Sequence, residues 1–347
     1  MSQKIKKFLD KFGYTRIIII LFLIMLFIAA FALELQTDSL ISGILNRAGM
    51  NMILTLAMVP SIQSGTGLNF GLSVGILCGV LGAVLSIAMD LTGWQAFLIA
   101  NGLGIVFAII AGYIYGLLLN RVKTQEMLIG TYAGFSVVSG MCMFWILAPF
   151  KSPKMIWPYG GRGLRVTVSL EDTFDKILNN FLLREYNGIE VPWGLYAYII
   201  LLCLAVWLFS RSKTGIAMQT AGSNPRFAES CGINVDGMRI IGTILSTVLG
   251  AMGILVYAQS YGFLQLYNAP LYMAFPAVAA ILIGGASVHK ASIAHVIIGT
   301  FLFQALLVVA LPVTNAVLPE GNLSEVVRII ISNGIIVYAL TRIGGGE

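Results

Sequence analysis

The sequence predicts an all-α, polytopic membrane protein of about ten transmembrane helices. Three observations predict it. Hydrophobic residues fill 58% of the 347 positions and charged residues only 10%, against roughly 25% charged in soluble domains. Mean hydropathy is +0.90. The apolar residues also come in unbroken runs such as "IIIILFLIMLFIAAFAL", whereas a membrane β-barrel alternates apolar with polar residues. A helix satisfies its own backbone inside lipid, so helices are the expected spans.

A span needs about 20 apolar residues. The first, 17–34, follows a basic start (Lys4, Lys6, Lys7, Lys11) and precedes no small-residue cleavage site, so it reads as a retained span. Four more follow at 49–64, 69–89, 95–119 and 127–149. A long loop then covers 150–192. Within it Leu170, Phe174, Ile177, Leu178, Phe181 and Leu182 recur at helical spacing. Ser169 and Asp172 stand like a capping box ahead of them. The loop is therefore expected to carry an amphipathic helix, either a packed lid or a docking surface. Spans at 193–210, 239–260, 271–285, 291–311 and 325–341 complete the ten, with a polar loop at 211–238. The eighth is short for a crossing. Residues 1–347 read as a single transmembrane domain.

Lys and Arg set the orientation. With the N-terminus in the cytoplasm, inside loops receive Arg121, Lys123, Arg211, Lys213, Arg226, Lys290 and Arg342, and the short outside loops only Arg47. Both termini are then cytoplasmic, and 150–192 is external. The net charge of +6 follows from these loops beside membrane lipid, and no nucleic-acid partner is expected. Cys78, Cys142, Cys203 and Cys231 form no CxxC pair, and His289 and His295 form no HExxH pattern, so no metal site is expected. No GxxxxGK[ST] loop is present, so the chain is not expected to be an ATP-hydrolysing enzyme.

The loop at 211–238 holds "GSNPRFAESCGINVDG", Gly222 to Gly237. Ser223 or Asn224 can cap a helix, Pro225 suits its first position, and Gly232 can end it. The helix Pro225–Cys231 is about two turns, too short to stand alone in water. Two glycine interruptions, Gly65-Thr66-Gly67 and Gly284-Gly285, fall in the two halves of the chain. Broken spans in both halves point to a transporter's binding region. Gln63, Asn69, Asn101 and Gln304 lie near such places and are candidate pathway residues. The plainer alternative is that the glycines let helices approach and the amides bond between helices. Asp90 and Glu126 fall at span ends, and few ionisable residues fall inside spans, which weighs against an ion-coupled secondary transporter.

Several stretches carry a family resemblance. The loop reads Gly215, "IAMQT", Ala221-Gly222-Ser223-Asn224-Pro225, Ala228, then Gly232-Ile233, with Glu229 in place of a second alanine. "SGTGLNFGLSVG" resembles a Gly-x-Asp-Leu-Ser-Val-Gly segment without its acidic residue, and "FPAVAAILIGGASVHKASIAHVIIGTFL" resembles an apolar run ending in Gly-Gly. Together they resemble permease subunits of the branched-chain amino acid and simple-sugar group of ABC importers, over most of 45–343. The resemblance implies a permease moving a small polar solute across a bacterial or archaeal inner membrane. A simple sugar or nucleoside is the first expectation and a branched-chain amino acid the alternative. It implies a cytoplasmic coupling helix formed by Ser223, Asn224, Pro225, Arg226, Phe227, Ala228, Glu229 and Gly232. The implied partners are a cytoplasmic ABC ATPase, which binds the ATP, a second permease subunit (a homodimer mate or a paralogue), and an extracytoplasmic solute-binding protein. No cofactor is implied on this chain.

Overall fold

The computed structural model describes residues 14–150, 152–156 and 163–317, with 326, 329, 330, 333, 334 and 337. The expected tenth span, 325–341, lies largely outside these residues. Among the described residues, seven helices are long and apolar enough to cross a membrane, and two further apolar helices, Arg16–Ala32 and Asn268–Ile283, are shorter. The nine expected spans that fall within the described residues are thus seven candidate spans and two shorter apolar segments.

The first helix, α1, is Tyr14–Ala32. The second span is Thr37–Gln63, made of α2 (Thr37–Leu56) and α3 (Met58–Gln63). It starts well before the expected residue 49. Its first turns carry Asp38, Ser39, Ser42, Asn46 and Arg47, which hid them from an apolar-run criterion. Arg47 thus sits on a helix and not in a loop. A 3₁₀ turn, Phe70–Leu72, leads into α4 (Ser73–Ala88). Then come α5 (Gly93–Arg121) and α6 (Glu126–Leu147).

The 150–192 region corrects the expected amphipathic helix. Its regular pieces among the described residues are strand β1 (Thr167–Ser169), the four-residue helix α7 (Ile177–Asn180), and strands β2 (Leu183–Tyr186) and β3 (Ile189–Pro192). Leu170, Phe174 and Leu178 are buried as the spacing implied, but turns carry them inward. Lys176 and Leu182 adopt positive φ values of 47° and 58°, which no continuing right-handed helix allows. β1 pairs antiparallel with β4 (Phe263–Gln265), and β2 with β3. The all-α expectation is therefore corrected to a mostly helical fold with two small strand pairs. A buried polar cluster fastens the region: the Gln259 amide donates to Asn179 Oδ1 at 2.9 Å, and the Asn179 amide to Asn46 Oδ1 at 2.7 Å.

The chain continues through α8 (Trp193–Arg211), α9 (Lys213–Ser223), α10 (Pro225–Ser230) and α11 (Val235–Tyr261). After β4 come α12 (Asn268–Tyr272), α13 (Ala274–Ile283) and α14 (Ile293–Val317). The eighth expected span is indeed short and divided at Met273.

Connections gather at two ends. Gly93 N donates to Thr173 O at 2.7 Å, and Leu170 N to Gly262 O at 3.0 Å, at the long-loop end. Gln63 meets Ser210 and Ala291, and Lys123 meets Asp236, at the short-helix end. At the centre lies α4, in a span whose apolar window is 83% buried. Glycine permits that density, as small residues do between membrane helices generally. A Cβ on Gly82 would collide with Ala100 O and lie 2.8 Å from Gly104 N, both on α5. A Cβ on Gly75 would lie 2.9 Å from Thr247 Cα on α11.

Gly82→Ala is therefore expected to destabilise the protein by roughly 1–3 kcal/mol, the usual cost of overpacking. Gly102→Ala meets open space and should be neutral or slightly stabilising, since alanine is the better helix former by about 1 kcal/mol. Thermal unfolding in detergent reads both. Equal midpoints for the two variants would contradict the packing argument.

Candidate functional site

The 211–238 loop folds as two helices joined by one residue. Ser212 Oγ accepts from Gly215 N at 3.1 Å and caps α9, an 11-residue helix the sequence did not signal. Asn224, not Ser223, caps α10: its Oδ1 accepts from Phe227 N at 3.1 Å. Ser223 belongs to α9, where its hydroxyl donates back to Thr220 O at 3.2 Å. Pro225 opens α10. The helix ends at Ser230 with Cys231 as its cap residue, one residue short of expectation, and Gly232 follows with φ +78°. Asn234 then caps α11 through Gly237 N at 3.0 Å.

One face of α10 is pinned and the other is free. Ala228 is buried in a small cluster with Ala221 and Val235. Arg226, Glu229 and Ser230 are exposed, and Phe227 is 55% exposed. Phe227 is thus an exposed aromatic on a helix of six residues.

Behind α10 the two sequence motifs meet. A Cβ on Gly222 would collide with Gln63 O and lie 2.7 Å from Gly65 N; one on Gly65 would lie 2.9 Å from Gly222 Cα. The end of α9 thus packs backbone to backbone on the first glycine interruption. Gly65 and Gly67 take φ of 82° and 75°, and the freed groups are satisfied locally. Ser61 Oγ donates to Gly67 O at 2.7 Å, and Ser64 Oγ and Thr66 Oγ1 donate to Ser61 O at 2.9 and 2.8 Å. Gly242 of α11 rests on Ser64 and Pro60.

Among the described residues the four candidate pathway residues make separate contacts. Gln63 donates to Ala291 O at 3.1 Å and accepts from Ser210 Oγ at 3.3 Å. It also borders an apolar cavity of about 190 Å³ between α8 and α11. Asn69 is buried; it donates to Ser246 Oγ at 2.8 Å and accepts from Tyr115 OH at 3.1 Å. Asn101 donates to Phe97 O at 2.8 Å in its own helix and accepts from Tyr198 OH at 3.4 Å. Gln304 is buried on α14 beside Phe303 and Ala305. Three of the four therefore join helices through hydrogen bonds.

Sequence reasoning missed an ion pair. Arg239 Nη2 on α11 contacts Glu126 Oε1 at the first residue of α6, with both side chains at most 15% exposed. Beside it the exposed Lys123 and Asp236 pair at 2.7 Å, and the Asn120 amide donates to Asp236 O at 2.9 Å. The available signal was Arg239 heading an apolar run. A second, open cleft of about 370 Å³ borders Glu126, with Gly65, Thr66, Gly67, Val288 and His289 around it.

A bundle of apolar helices, interrupted by glycines at the end where a capped short helix stands exposed, has the build of a membrane permease. Residues 40–337 match the family described as the permease component of branched-chain amino acid transport systems. The chain belongs to this family of ABC importer permeases. Such a component is not an enzyme and carries no cofactor.

Relatives resemble it in part. A nucleoside ABC transporter permease, NupC, of Lactococcus lactis is 37% identical over 62 residues, 18% of this chain and 20% of that protein. An autoinducer 2 import system permease, LsrC, of Escherichia coli is 26% identical over 167 residues, 46% of each chain. An uncharacterized protein of Mycoplasma pneumoniae, the MG121 homolog, is 24% identical over 160 residues, 46% of this chain and 45% of that one. The chain spans less than half the length of each of these relatives.

Asn224→Ala should loosen α10 by about 1 kcal/mol, the usual worth of such a cap. Hydrogen exchange at 225–231 should quicken about fivefold, while exchange in α11 stays unchanged. Unaltered exchange at 225–231 would mean the cap does not hold this helix.

Proposed function

We propose that this chain is the pathway-forming permease of an ABC importer for a small polar solute, a nucleoside or simple sugar, and that α10 is its coupling helix. The observation that carries the reading is Phe227: a 55% exposed aromatic on a six-residue capped helix whose other face is buried. An ATPase groove that receives Phe227 would move α10, and α10 would move the interruption at 63–67 through Gly222. Asn224 and Pro225 start the helix and Gly232 ends it. Ala228 pins it, and Arg226 and Glu229 offer rim charges. The ATPase supplies ATP chemistry, a second permease subunit completes the pathway, and a solute-binding protein delivers solute at the long-loop end.

The basic residues at the short-helix end support a cytoplasmic assignment for it and for the N-terminus, with 150–192 outside. The solute class is supported by the "LSVG" segment and by the names of the nucleoside and autoinducer 2 relatives. The family's own description keeps branched-chain amino acids as the competing solute. Gln63, Asn69 and Asn101 then shape the pathway by fixing helices, and Gln304 by its buried place on α14.

Phe227→Ala should weaken ATPase association at least tenfold, as loss of an aromatic anchor worth about 2 kcal/mol would, with membrane insertion intact. Co-purification of the ATPase, with ATP hydrolysis stimulated by the loaded binding protein, measures it; wild-type behaviour would remove α10 from coupling. Orientation has its own test. With Cys231 as the sole cysteine, an impermeant maleimide should not label intact cells, whereas a cysteine replacing Glu185 should be labelled. The reverse pattern would invert the topology. Competition of uptake by nucleosides, ribose and leucine separates the solute classes.

A further inference from the structure

We infer that the Glu126–Arg239 pair is the strut through which movement of the coupling segment reaches α6, which makes both residues positioning residues for transport. The inference rests on the coupling role proposed for α10.

Position carries the first part of the argument. Arg239 lies one turn into α11, whose first residues follow directly from α10 through Gly232 and Asn234. Glu126 is the first residue of α6. A displacement of α10 also reaches the start of α11, because Ala228 and Val235 share one buried cluster, and there the ion pair hands it to α6.

The character of α6 carries the second. Its apolar window is 17% buried, the lowest share among the candidate spans, against 83% for the span that includes α4. Such a helix is held along one face only, through Gly130, Gly134, Val138 and Trp145, and at particular contacts. One is the contact of Gly130 with Tyr115 and Gly71. Another is Glu126, flanked by the Lys123–Asp236 and Asn120–Asp236 links.

The chemistry carries the third. Both side chains are nearly out of water, at 10% and 15% exposure, so their attraction is little screened. The contact uses one guanidinium nitrogen, and among the described residues Arg239 Nε has no hydrogen-bond partner. A single-point pair transmits push and pull yet allows rotation, unlike a two-point fork. Glu126 also borders the open cleft beside Gly65–Gly67 and Val288–His289. A shift of α6 at this residue alters the width of that cleft.

The test uses the complete permease, its ATPase and its solute-binding protein in liposomes. Three permeases are compared: wild type, Glu126→Gln, and the exchange Glu126→Arg with Arg239→Glu. Each is scored for ATPase retained on purification, for ATP hydrolysis, and for solute imported per ATP. Glu126→Gln should keep the ATPase bound and lower solute per ATP by about tenfold, within the usual range of coupling energies. The exchange should recover it to within about threefold of wild type. A normal ratio in Glu126→Gln with ATPase bound would overturn the strut and leave the coupling helix standing. So would failure of a well-folded exchange variant to recover. If Glu126→Gln is recovered only as aggregate, the exchange decides alone. Failure of wild type to bind any ATPase would remove the coupling reading and the strut together.

Discussion

A helix that stops within an apolar bundle must satisfy the backbone groups it frees, because lipid cannot. The stop at Gln63–Gly67 is where this constraint governs most of the structure. Three hydroxyls, on Ser61, Ser64 and Thr66, take up carbonyl groups at the turn. Two glycines supply the positive φ values the turn requires. That arrangement leaves bare backbone on the outside, and Gly222 seats against it with no side chain between. Gly242 closes the same site from α11. The interruption, the end of α9 and the first half of α11 are consequently one packed unit. A residue larger than glycine at 222 would separate them.

Stiffness is distributed unevenly around that unit. The centre, α4, touches α5 and α11 through Gly75, Gly79 and Gly82, at distances that leave no room for side chains to adjust. Asn69 adds a polar bolt between Tyr115 and Ser246. Buried hydrogen bonds of this kind between membrane helices contribute only about 0.6–2 kcal/mol each, so their value here is in fixing register. The long-loop end is bound down similarly, by the cluster of Asn46, Asn179 and Gln259. α6 is the least buried of the candidate spans, and it packs on the 3₁₀ turn and α4 along one face, through Gly130, Gly134, Val138 and Trp145.

Local signals were legible and long-range ones were not. Continuous apolar runs located the described spans from α4 to α14 to within about six residues, because each run is its own evidence. The Asn-Pro…Gly punctuation located α10 almost to the residue, because capping is decided within four positions of the chain. The first turns of α2 were lost because Asp38, Ser39, Ser42, Asn46 and Arg47 break up their apolar residues, although they belong to a membrane-length helix. The helical spacing of Leu170 to Leu182 was real as a burial pattern and misleading as secondary structure. Positive φ at Lys176 and Leu182 is set by tertiary contacts, such as Lys176 N with Gln259 O at 2.8 Å. The amides at 63, 69 and 101 were found by composition, yet their partners lie as far as 228 positions away. Nothing local could identify those partners.

The same reasoning explains why charge stands at the joint between α6 and α11. Stability does not require it: replacing a buried ion pair with well-packed apolar side chains is often neutral or stabilising. Apolar contact was also within easy reach of a sequence that is 58% hydrophobic. Packed apolar surfaces, however, slide and repack, and they hold helices by area. α6 offers little area to α11. A charge pair holds by position: it acts at one point, in both push and pull, and it penalises separation steeply because each partner would be left unpaired away from water. On the proposed coupling, a point contact of that kind would give α6, the least buried span, directional control that its packing on α11 cannot.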